Sequence, residues 1–307
     1  MRILITGATG FIGTSIIGNI TNGGDKILAL SRNTLHIRTP SNINWLKADL
    51  ADPLSYREAV QSFRPEVVIH LAWDGIPDFS LQRSTSNLTQ SIEFLSFIFN
   101  LGCCQKVVVS GSCFEFNKLN GVCSESEVGS AKDSFTWAKH SLRNWLEIEC
   151  LKQDIRLAWM RIFYVYGPGQ RSASLIPTIL KCLKEGKVPE LMTPKNASDF
   201  IFVSDIAKAF TNAVYGDFPS GIYNLGSEQS TSVLEVCRIS ELIVSGSDAI
   251  TNELKIRASN MGSAVNFWAN CDKSNEFFGV QKKIGLHEGI AETWKWIRKK
   301  DLDQPRQ

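Results

Sequence analysis

The sequence predicts an α/β fold in which a doubly wound parallel sheet carries a smaller, discontinuous C-terminal domain. The chain has 307 residues, of which 43% are hydrophobic and 21% charged, so it is long enough for about two domains with a sizeable core. A glycine-rich turn joins a short apolar run to a helical pattern at the very start. Beyond it, strand-like and helix-like segments alternate, which is typical of a parallel sheet covered on both faces.

The first thirty residues hold the most informative pattern. An apolar run at 3–5 is followed by glycines at 7, 10 and 13, by a helical pattern that ends at 23–24, and by a second apolar run at 26–30. Strand, glycine turn, helix and strand in this order are typical of the first unit of a Rossmann-type dinucleotide-binding domain. Glycine lets the backbone approach a pyrophosphate closely, and the next helix presents its N-terminus to the phosphates. We therefore predict cofactor contacts at Gly7, Gly10, Phe11, Ile12 and Gly13.

The alternation continues along the chain. Apolar runs predict buried strands at 66–71, 106–110 and 157–163, and apolar faces at helical spacing predict helices at 88–101 and 142–151. After Gly167 the pattern loosens, with a helix at 174–185, a strand at 199–203, a helix from 204 and a final helix at 284–300. We expect a dinucleotide-binding Rossmann domain over 1–166 with a returning segment near 200–225, and a mainly substrate-binding domain over 167–307.

Composition and charge argue against several classes of protein. Lys plus Arg number 33 and Asp plus Glu 31, which leaves +2 and does not indicate a nucleic-acid-binding protein. No run approaches the roughly 18 apolar residues of a membrane span. The eight cysteines form no CxxC pair, and His36, His140 and His287 share no metal-ligand spacing, so we expect reduced thiols and no metal. Because the first strand begins at Arg2, with no signal peptide before it, we expect a cytoplasmic protein without a membrane partner.

Six further motifs follow the glycine turn along the chain. They are Asp49-Leu50, His70-Leu71-Ala72, Ser110-Gly111-Ser112-Cys113-Phe114-Glu115, Trp137-Ala138-Lys139, the segment 161–169 and the segment 199–205. With the Gly-x-x-Gly-x-x-Gly spacing, they resemble the short-chain dehydrogenase/reductase superfamily over nearly the whole chain. The resemblance is closest to its extended branch of NAD(P)-dependent sugar-nucleotide epimerases, dehydratases and ketoreductases, including the CDP-abequose and CDP-paratose synthase type. It implies an enzyme with a nucleotide-sugar substrate; the oligomeric state stays open, with a homodimer as one expectation.

The end of the second strand bears on the choice of cofactor. A carboxylate there hydrogen-bonds the ribose 2′-hydroxyl of NAD, whereas a nearby arginine accommodates the 2′-phosphate of NADP. This sequence has Ser31 and Arg32, so the acid is missing and a cation is present. We therefore expect NADP(H), the alternative being that Arg32 merely faces solvent. The resemblance adds further cofactor contacts at Asp49, Leu50, Leu71, Ala72 and Lys139.

The resemblance also implies a catalytic group made of a serine, a tyrosine and a lysine. Ser112 matches the serine that hydrogen-bonds the substrate oxygen, and Lys139 matches the lysine that holds the nicotinamide ribose and lowers the pKa of the tyrosine. The tyrosine stands four residues before the lysine and exchanges a proton with the substrate oxygen. Here Phe135 occupies that position, and phenylalanine has no O–H with which to transfer a proton.

Three explanations of Phe135 are open. The first is a deliberate Tyr-to-Phe change that traps a complex. The second is another acid in the natural enzyme, for which Cys113, Glu115 and a bound water are poor candidates. The third is binding of cofactor without turnover. We favour the first, because every surrounding motif is intact.

Substrate contacts are implied at the end of the Ser-Gly-Ser strand and near a second glycine break, the Gly-Pro-Gly segment at 167–169. They are Ser112, Cys113, Phe114, Tyr164, Gln170 and Arg171. Relatives often carry a phosphate-binding arginine directly before the Asp-Phe strand, where this chain has Ser198, and we expect Arg171 to compensate.

The favoured hypothesis is an NADPH-dependent reductase of a 4-keto-6-deoxy sugar nucleotide. A net reductase takes hydride from the NADPH pool, whereas epimerases and dehydratases recycle a retained NAD within one turnover. The first alternative is an NAD-dependent sugar-nucleotide 4-epimerase or dehydratase. The second is a non-catalytic NADP-binding regulator, for which Phe135 is the best argument.

Overall fold

The computed structural model describes residues 1–20, 24–33, 42–127, 129–258, 265–280 and 283–303, so that Gly23 and His36 lie outside the described residues. The strands are β1 (Arg2–Thr6), β2 (Lys26–Ser31), β3 (Ile43–Lys47), β4 (Val67–His70), β5 (Lys106–Ser112), β6 (Gly121–Cys123), β7 (Arg156–Ile162), β8 (Tyr164–Tyr166), β9 (Ala197–Phe202), β10 (Gly221–Leu225), β11 (Ser230–Ser232) and β12 (Phe267–Ala269). The helices are α1 (Phe11–Asn19), α2 (Arg57–Phe63), α3 (Leu81–Asn100), α4 (Ser134–Lys152), α5 (Leu175–Lys184), α6 (Val203–Tyr215), α7 (Val233–Ser245), α8 (Ala249–Ala258), α9 (Asp272–Phe278) and α10 (Leu286–Asp303). None of the helices in the described ranges combines the length with the apolar character that a membrane crossing requires.

A parallel sheet of seven strands forms the centre of the molecule, in the spatial order β3-β2-β1-β4-β5-β7-β10. The chain moves from β1 through β2 to β3 on one side, and then crosses back to β4 on the other side of β1. This reversal opens a crevice at the carboxyl ends of β1 and β4, where open α/β sheets bind their ligands. The predicted α/β class and its Rossmann-type parallel sheet are confirmed.

Helices cover both faces of this sheet, and the strands supply side chains to each. Successive residues of a strand point to opposite faces. In β1, Ile3 and Ile5 pack in one apolar cluster with residues of α1 and α6, while Leu4 packs in another with residues of α3 and α4. A strand buried on both faces needs a continuous apolar run, which is why these strands are visible in the sequence.

A smaller layer is built mainly from the C-terminal half of the chain. In its three-stranded sheet β8 and β9 are parallel, and β11 lies antiparallel to β9. The helices α5, α7 and α10 pack together over a core that contains Tyr166, Leu180, Phe202, Val236 and Ile290. From this layer α6 returns to pack against α1, and the chain then adds β10 to the large sheet. The connection between the two layers is therefore made by several passes of the chain.

Capping residues explain why two helices begin earlier than their apolar patterns predict. The helix α3 begins at Leu81 rather than at 88, because the Ser80 side chain accepts a hydrogen bond from the backbone of the first turn. The helix α4 begins at Ser134 rather than at 142, because Asp133 and Thr136 cap each other's backbone reciprocally.

We predict that Gly13→Ala destabilises the protein, whereas Gly18→Ala in the same helix stabilises it slightly. A Cβ on Gly13 would lie 2.3 Å from the carbonyl oxygen of Gly7, so α1 would have to move away from the turn. Such overpacking costs roughly 1–3 kcal/mol. A Cβ on Gly18 would meet nothing within 4 Å, and alanine is favoured over glycine inside a helix by about 0.5–1 kcal/mol. Urea unfolding measures the free energy of unfolding of the wild-type protein and both variants. A change of the same sign in both variants would contradict the close packing of α1 on the turn.

Candidate active site

The glycine turn after β1 forms the floor of the crevice. Gly7 has a φ of +66°, and a Cβ there would lie 3.0 Å from the backbone nitrogen of Ala72, so a side chain would collide with the strand end beside it. Gly10 is the N-cap of α1, and no side chain caps this helix end. The first N–H groups of a helix carry partial positive charge and bind anions. A bare backbone surface at such a helix end fits a diphosphate group.

A cavity of about 490 Å³ opens over this turn. The ends of β1, β2 and β4, residues 48–51 and the first half of α3 supply its walls. Eight of the predicted cofactor residues line it, namely Gly7, Gly10, Ser31, Arg32, Asp49, Leu50, Leu71 and Ala72. Phe11, Ile12 and Gly13 instead form the first turn of α1 and are outside this lining. The size of the cavity and its glycine floor fit a dinucleotide, since pockets for small ligands and cofactors commonly have volumes of about 300–1,000 Å³.

Polar groups surround the end of β2. The buried Ser31 hydroxyl lies 2.9 Å from the hydroxyl of Thr9. The guanidinium of Arg32 is exposed and lies 2.8 Å from Asp74 Oδ1, while Asp74 Oδ2 lies 2.5 Å from Arg83 Nη1. Sequence reasoning identified Arg32 but missed Asp74 and Arg83. Neither belongs to a motif that the sequence analysis used, although Asp74 lies two residues after the His-Leu-Ala motif at a strand end, which is a place where ligands bind.

A neutral histidine, His70, contacts both β1 and α3 beside the cavity. The His70 ring lies 3.0 Å from the Thr6 hydroxyl through Nδ1 and 3.1 Å from the Ser91 hydroxyl through Nε2. Burial lowers the pKa of His70 to about 3, and the charge of Lys139 acts in the same direction. The ring is therefore uncharged at neutral pH and connects β1, β4 and α3 as a structural element.

The helix α4 places Lys139 against the end of β5. Its amine donates a hydrogen bond to the Ser110 carbonyl oxygen at 2.9 Å and lies 3.8 Å from the centre of the Trp73 ring. Burial lowers the pKa of Lys139 to about 7, although the negative charge of Glu115 acts to raise it. This amine therefore exchanges its proton close to neutral pH.

Phe135 lies one helical turn before Lys139 on the same face of α4. Its ring is only 4% exposed and packs on Phe79 and Trp73, with centroid distances of 4.7 and 5.7 Å. Ser112 ends β5, two residues beyond the carbonyl group that Lys139 contacts. The fold thus brings the three predicted catalytic residues to the adjoining ends of β5 and α4.

Glu115, one of the alternative acids, has a different role. It is fully buried, and its carboxylate accepts hydrogen bonds from the Ser112 backbone at 2.8 Å and from the Trp159 indole at 3.0 Å. Arg161 and Arg143 lie 3.4 and 3.8 Å from it. A carboxylate enclosed by these donors anchors the turn after β5 and is not available to a substrate.

The residues after β5 face an aromatic region. The Phe114 and Tyr164 rings meet edge to face at 5.9 Å, and Tyr164 is 37% exposed. Burial raises the pKa of Tyr164 to about 12, and a hydrogen bond with Ser198 acts in the opposite direction. Cys113, by contrast, is 3% exposed and packs in a buried cluster with Phe116, and burial raises the pKa of its thiol far above the usual range. Its side chain is therefore directed into the core.

The second glycine break contributes two predicted substrate residues. The Gln170 amide donates a hydrogen bond to the Val165 carbonyl oxygen at 3.1 Å. The Arg171 guanidinium donates one to the Ile76 carbonyl oxygen at 2.5 Å and thereby connects the start of the smaller layer with the loop after β4. Arg171 is exposed.

Comparison with known proteins shows the family to which the chain belongs. The model of the NAD dependent epimerase/dehydratase family matches residues 3–226, and the chain belongs to this family. A probable dTDP-glucose 4,6-dehydratase of Sinorhizobium fredii is 24% identical over 290 residues, which cover 87% of this chain and 81% of that protein. The CDP-abequose synthase of Salmonella muenchen is 24% identical over 249 residues, which cover 78% of this chain and 79% of that protein.

Solved structures show the same fold. The UDP-glucuronic acid 4-epimerase of Bacillus cereus, in complex with UDP-glucuronic acid and NAD, superposes with a TM-score of 0.80 at 18% identity, covering 97% of this chain and 99% of that one. The family that the motifs predicted is confirmed, and with it the expectation of an enzyme of the oxidoreductase type.

We predict that Lys139→Met stabilises the cofactor-free protein more at pH 7 than at pH 10. The pKa of Lys139 is about 7 in the fold against 10.5 for an ordinary lysine. Between these values the unfolded chain binds more protons, so the wild-type protein loses stability as the pH falls through this window, and methionine removes the effect. Urea unfolding at pH 7 and pH 10 measures the free energy of unfolding of the wild-type protein and the variant. Lys152→Met, at an exposed position of the same helix, serves as the control. If Lys139→Met changed the free energy of unfolding by the same amount at both pH values, the burial of the Lys139 amine would be contradicted.

Proposed function

We propose that this enzyme uses NADPH to reduce a 4-keto-6-deoxy sugar nucleotide. The observation that carries the proposal is the position of the Lys139 amine, which lies 3.8 Å from the centre of the Trp73 ring, while Trp73 lines the cavity that also contains Arg32. At the end of β2 stands Arg32 without a neighbouring acid on the same strand, and at the end of β5 stand Ser112 and Lys139. The similarity to a CDP-abequose synthase supports a substrate of this class.

The residues of the cavity would hold the cofactor along its length. The backbone at Gly7 and Gly10 would bind the pyrophosphate, and Arg32 would bind the 2′-phosphate, since an arginine matches phosphate geometry with two donors. When bound, NADPH supplies the hydride for the keto carbon. Lys139 would turn its amine from the Ser110 carbonyl oxygen to the hydroxyls of the nicotinamide ribose.

The substrate oxygen requires a proton as the hydride arrives, because an alkoxide forms there. The Ser112 hydroxyl would hold this oxygen by a hydrogen bond. Phe135 offers no O–H at the position from which the proton would come. In this chain the proton would therefore come from water, and turnover would be slow.

The sugar nucleotide would extend from the end of β5 toward the smaller layer. The exposed face of Tyr164 and the Phe114 ring would contact it, and Arg171 would meet the nucleotide's phosphates in place of an arginine at Ser198. Gln170 lies beside Arg171 and would support it. This assigns nucleotide binding to the edge of the smaller layer and hydride transfer to the large sheet.

Two other functions have specific observations in their favour. The description of the family as NAD dependent, and the NAD bound to the Bacillus cereus epimerase, favour an NAD-dependent 4-epimerase or dehydratase. Cys113 counts against dehydration, because dehydratases of this branch carry an acid at the corresponding position. Phe135 favours a regulator that binds NADP without turnover.

One set of incubations distinguishes these functions. The purified protein is mixed with NADPH and a 4-keto-6-deoxy sugar nucleotide, or with UDP-glucose or dTDP-glucose and NAD, and products are followed by mass spectrometry. Stoichiometric loss of NADPH with reduction of the keto sugar supports the proposal. Epimerised or dehydrated product without net loss of cofactor supports the first alternative. Binding of NADPH without product, even after restoration of the tyrosine, supports the regulator and contradicts the proposal.

We predict that Phe135→Tyr raises the turnover number by about 10²–10⁴, the usual effect of a positioned acid. Cofactor and substrate affinities should change little, because the ring and its packing are retained. Lys139→Ala in the Phe135→Tyr background should remove most of the gain. Phe79→Tyr adds a hydroxyl to the neighbouring ring, 4.7 Å from Phe135 between centroids, and should leave turnover unchanged. An equal rise in both tyrosine variants would contradict a specific proton donor at position 135.

A further inference from the structure

The carboxylate of Asp74 lies between two arginines at the mouth of the cofactor cavity. One oxygen is 2.8 Å from Arg32, which follows β2, and the other is 2.5 Å from Arg83, which lies in the first turn of α3. Both guanidinium groups therefore converge on a single anionic group. All three residues line the cavity, which places this cluster beside the predicted adenosine end of the cofactor.

The surrounding backbone holds this arrangement in place. The Asp74 backbone nitrogen donates a hydrogen bond to the Asn87 side-chain oxygen at 2.7 Å, and the Asn87 amide donates one to the Asp74 carbonyl oxygen at 3.0 Å. Gly75 has a φ of +83°, and a Cβ there would lie 2.6 Å from Arg83 Nε. The Arg83 side chain therefore passes directly over residue 75, where a side chain would displace it from this path.

We propose that Arg83 is a second arginine for the 2′-phosphate of NADP, and that Asp74 is an internal anion that competes with this phosphate for Arg32 and Arg83. The proposal rests on the NADPH use inferred above and extends it to two residues of the cofactor specificity site. In this proposal, Asp74 weakens the binding of NADPH and Arg83 strengthens it.

Charge and geometry support this competition. A phosphate monoester carries about −1.5 to −2 charges and three acceptor oxygens, whereas a carboxylate carries one charge and two oxygens. Two guanidinium groups that already share a carboxylate have the spacing to share a phosphate. The Asp74 side chain is 34% exposed and the Arg32 side chain 60%, and ion pairs exposed to this extent are weak, so a phosphate can displace the carboxylate. NAD carries only a neutral 2′-hydroxyl at this position, which does not compete with the carboxylate for the two arginines.

The test measures dissociation constants by calorimetry at low salt, for NADPH and NADH and for 2′,5′-ADP and 5′-AMP. Asp74→Asn should lower the dissociation constants for NADPH and 2′,5′-ADP about tenfold, because the competing charge is removed. Arg83→Ala and Arg32→Ala should each raise them about tenfold, by loss of a charge-assisted contact. The dissociation constants for NADH and 5′-AMP should stay within about twofold in all three variants, since these ligands lack the 2′-phosphate that the two arginines would bind.

Two control variants separate the cluster from general charge effects. Arg57→Ala removes an exposed arginine that pairs with Glu93 at 3.5 Å. This variant should leave the dissociation constants of all four ligands unchanged. Glu93→Gln removes the exposed carboxylate of that pair, which does not line the cavity, and it should leave the ratio of NADPH to NADH affinity unchanged. If Asp74→Asn weakens NADH binding instead, the carboxylate binds the ribose hydroxyls and the proposal is wrong. Unchanged NADPH binding in Arg83→Ala would also overturn it. Absence of turnover with these affinities intact would contradict the reductase function alone.

Discussion

The buried carboxylate of Glu115 is the interaction on which the turn after β5 and the packing around it depend. It lies directly after β5 and accepts the backbone N–H of Ser112, which fixes the turn that carries the Ser112 hydroxyl. From β7 it is reached by Trp159 and Arg161, and from α4 by Arg143. A buried carboxylate costs several kcal/mol unless donors and cations surround it. The two strands and the helix can therefore pack here only in the register that brings all of these groups together.

The packing of α4 against β5 and β7 also places Lys139 beside a series of aromatic rings. Five rings form a continuous series between the lysine and the smaller layer, with centroid distances between 4.7 and 6.3 Å; they are Trp73, Phe135, Phe79, Phe114 and Tyr164. Apolar walls exclude water and disfavour the charged form of an amine, which is the physical cause of the low pKa of Lys139. The same walls strengthen every electrostatic interaction with a bound ligand. The Phe135 ring belongs to this series and packs between the rings of Trp73 and Phe79.

The elements that the sequence predicted well are those whose signal is local. The strands buried on both faces appear as apolar runs, and the glycine spacing indicates the turn before α1. The strand β3 was missed because it lies at the sheet edge with mostly exposed or half-buried residues, and it has no apolar run. The short strands β6 and β12 pair with each other across more than a hundred residues of chain, and neither has a pattern of its own. The first turns of α3 and α4 were missed because capping by Ser80 and Asp133, rather than an apolar face, starts those helices.

The sequence by itself determined the fold class, the family and the positions of the glycine floor, because each depends on the order and spacing of residues close together in the chain. Only the tertiary structure decided which charges meet. Glu115 belongs to the recognised Ser-Gly-Ser motif, yet its role as an anchor follows from Trp159, Arg161 and Arg143, which reach it from other elements. Asp74 and Arg83 similarly became neighbours of Arg32 through the crossover that places β4 and α3 beside the end of β2. The partner of a charged side chain is set by packing between distant segments, and no local pattern encodes it.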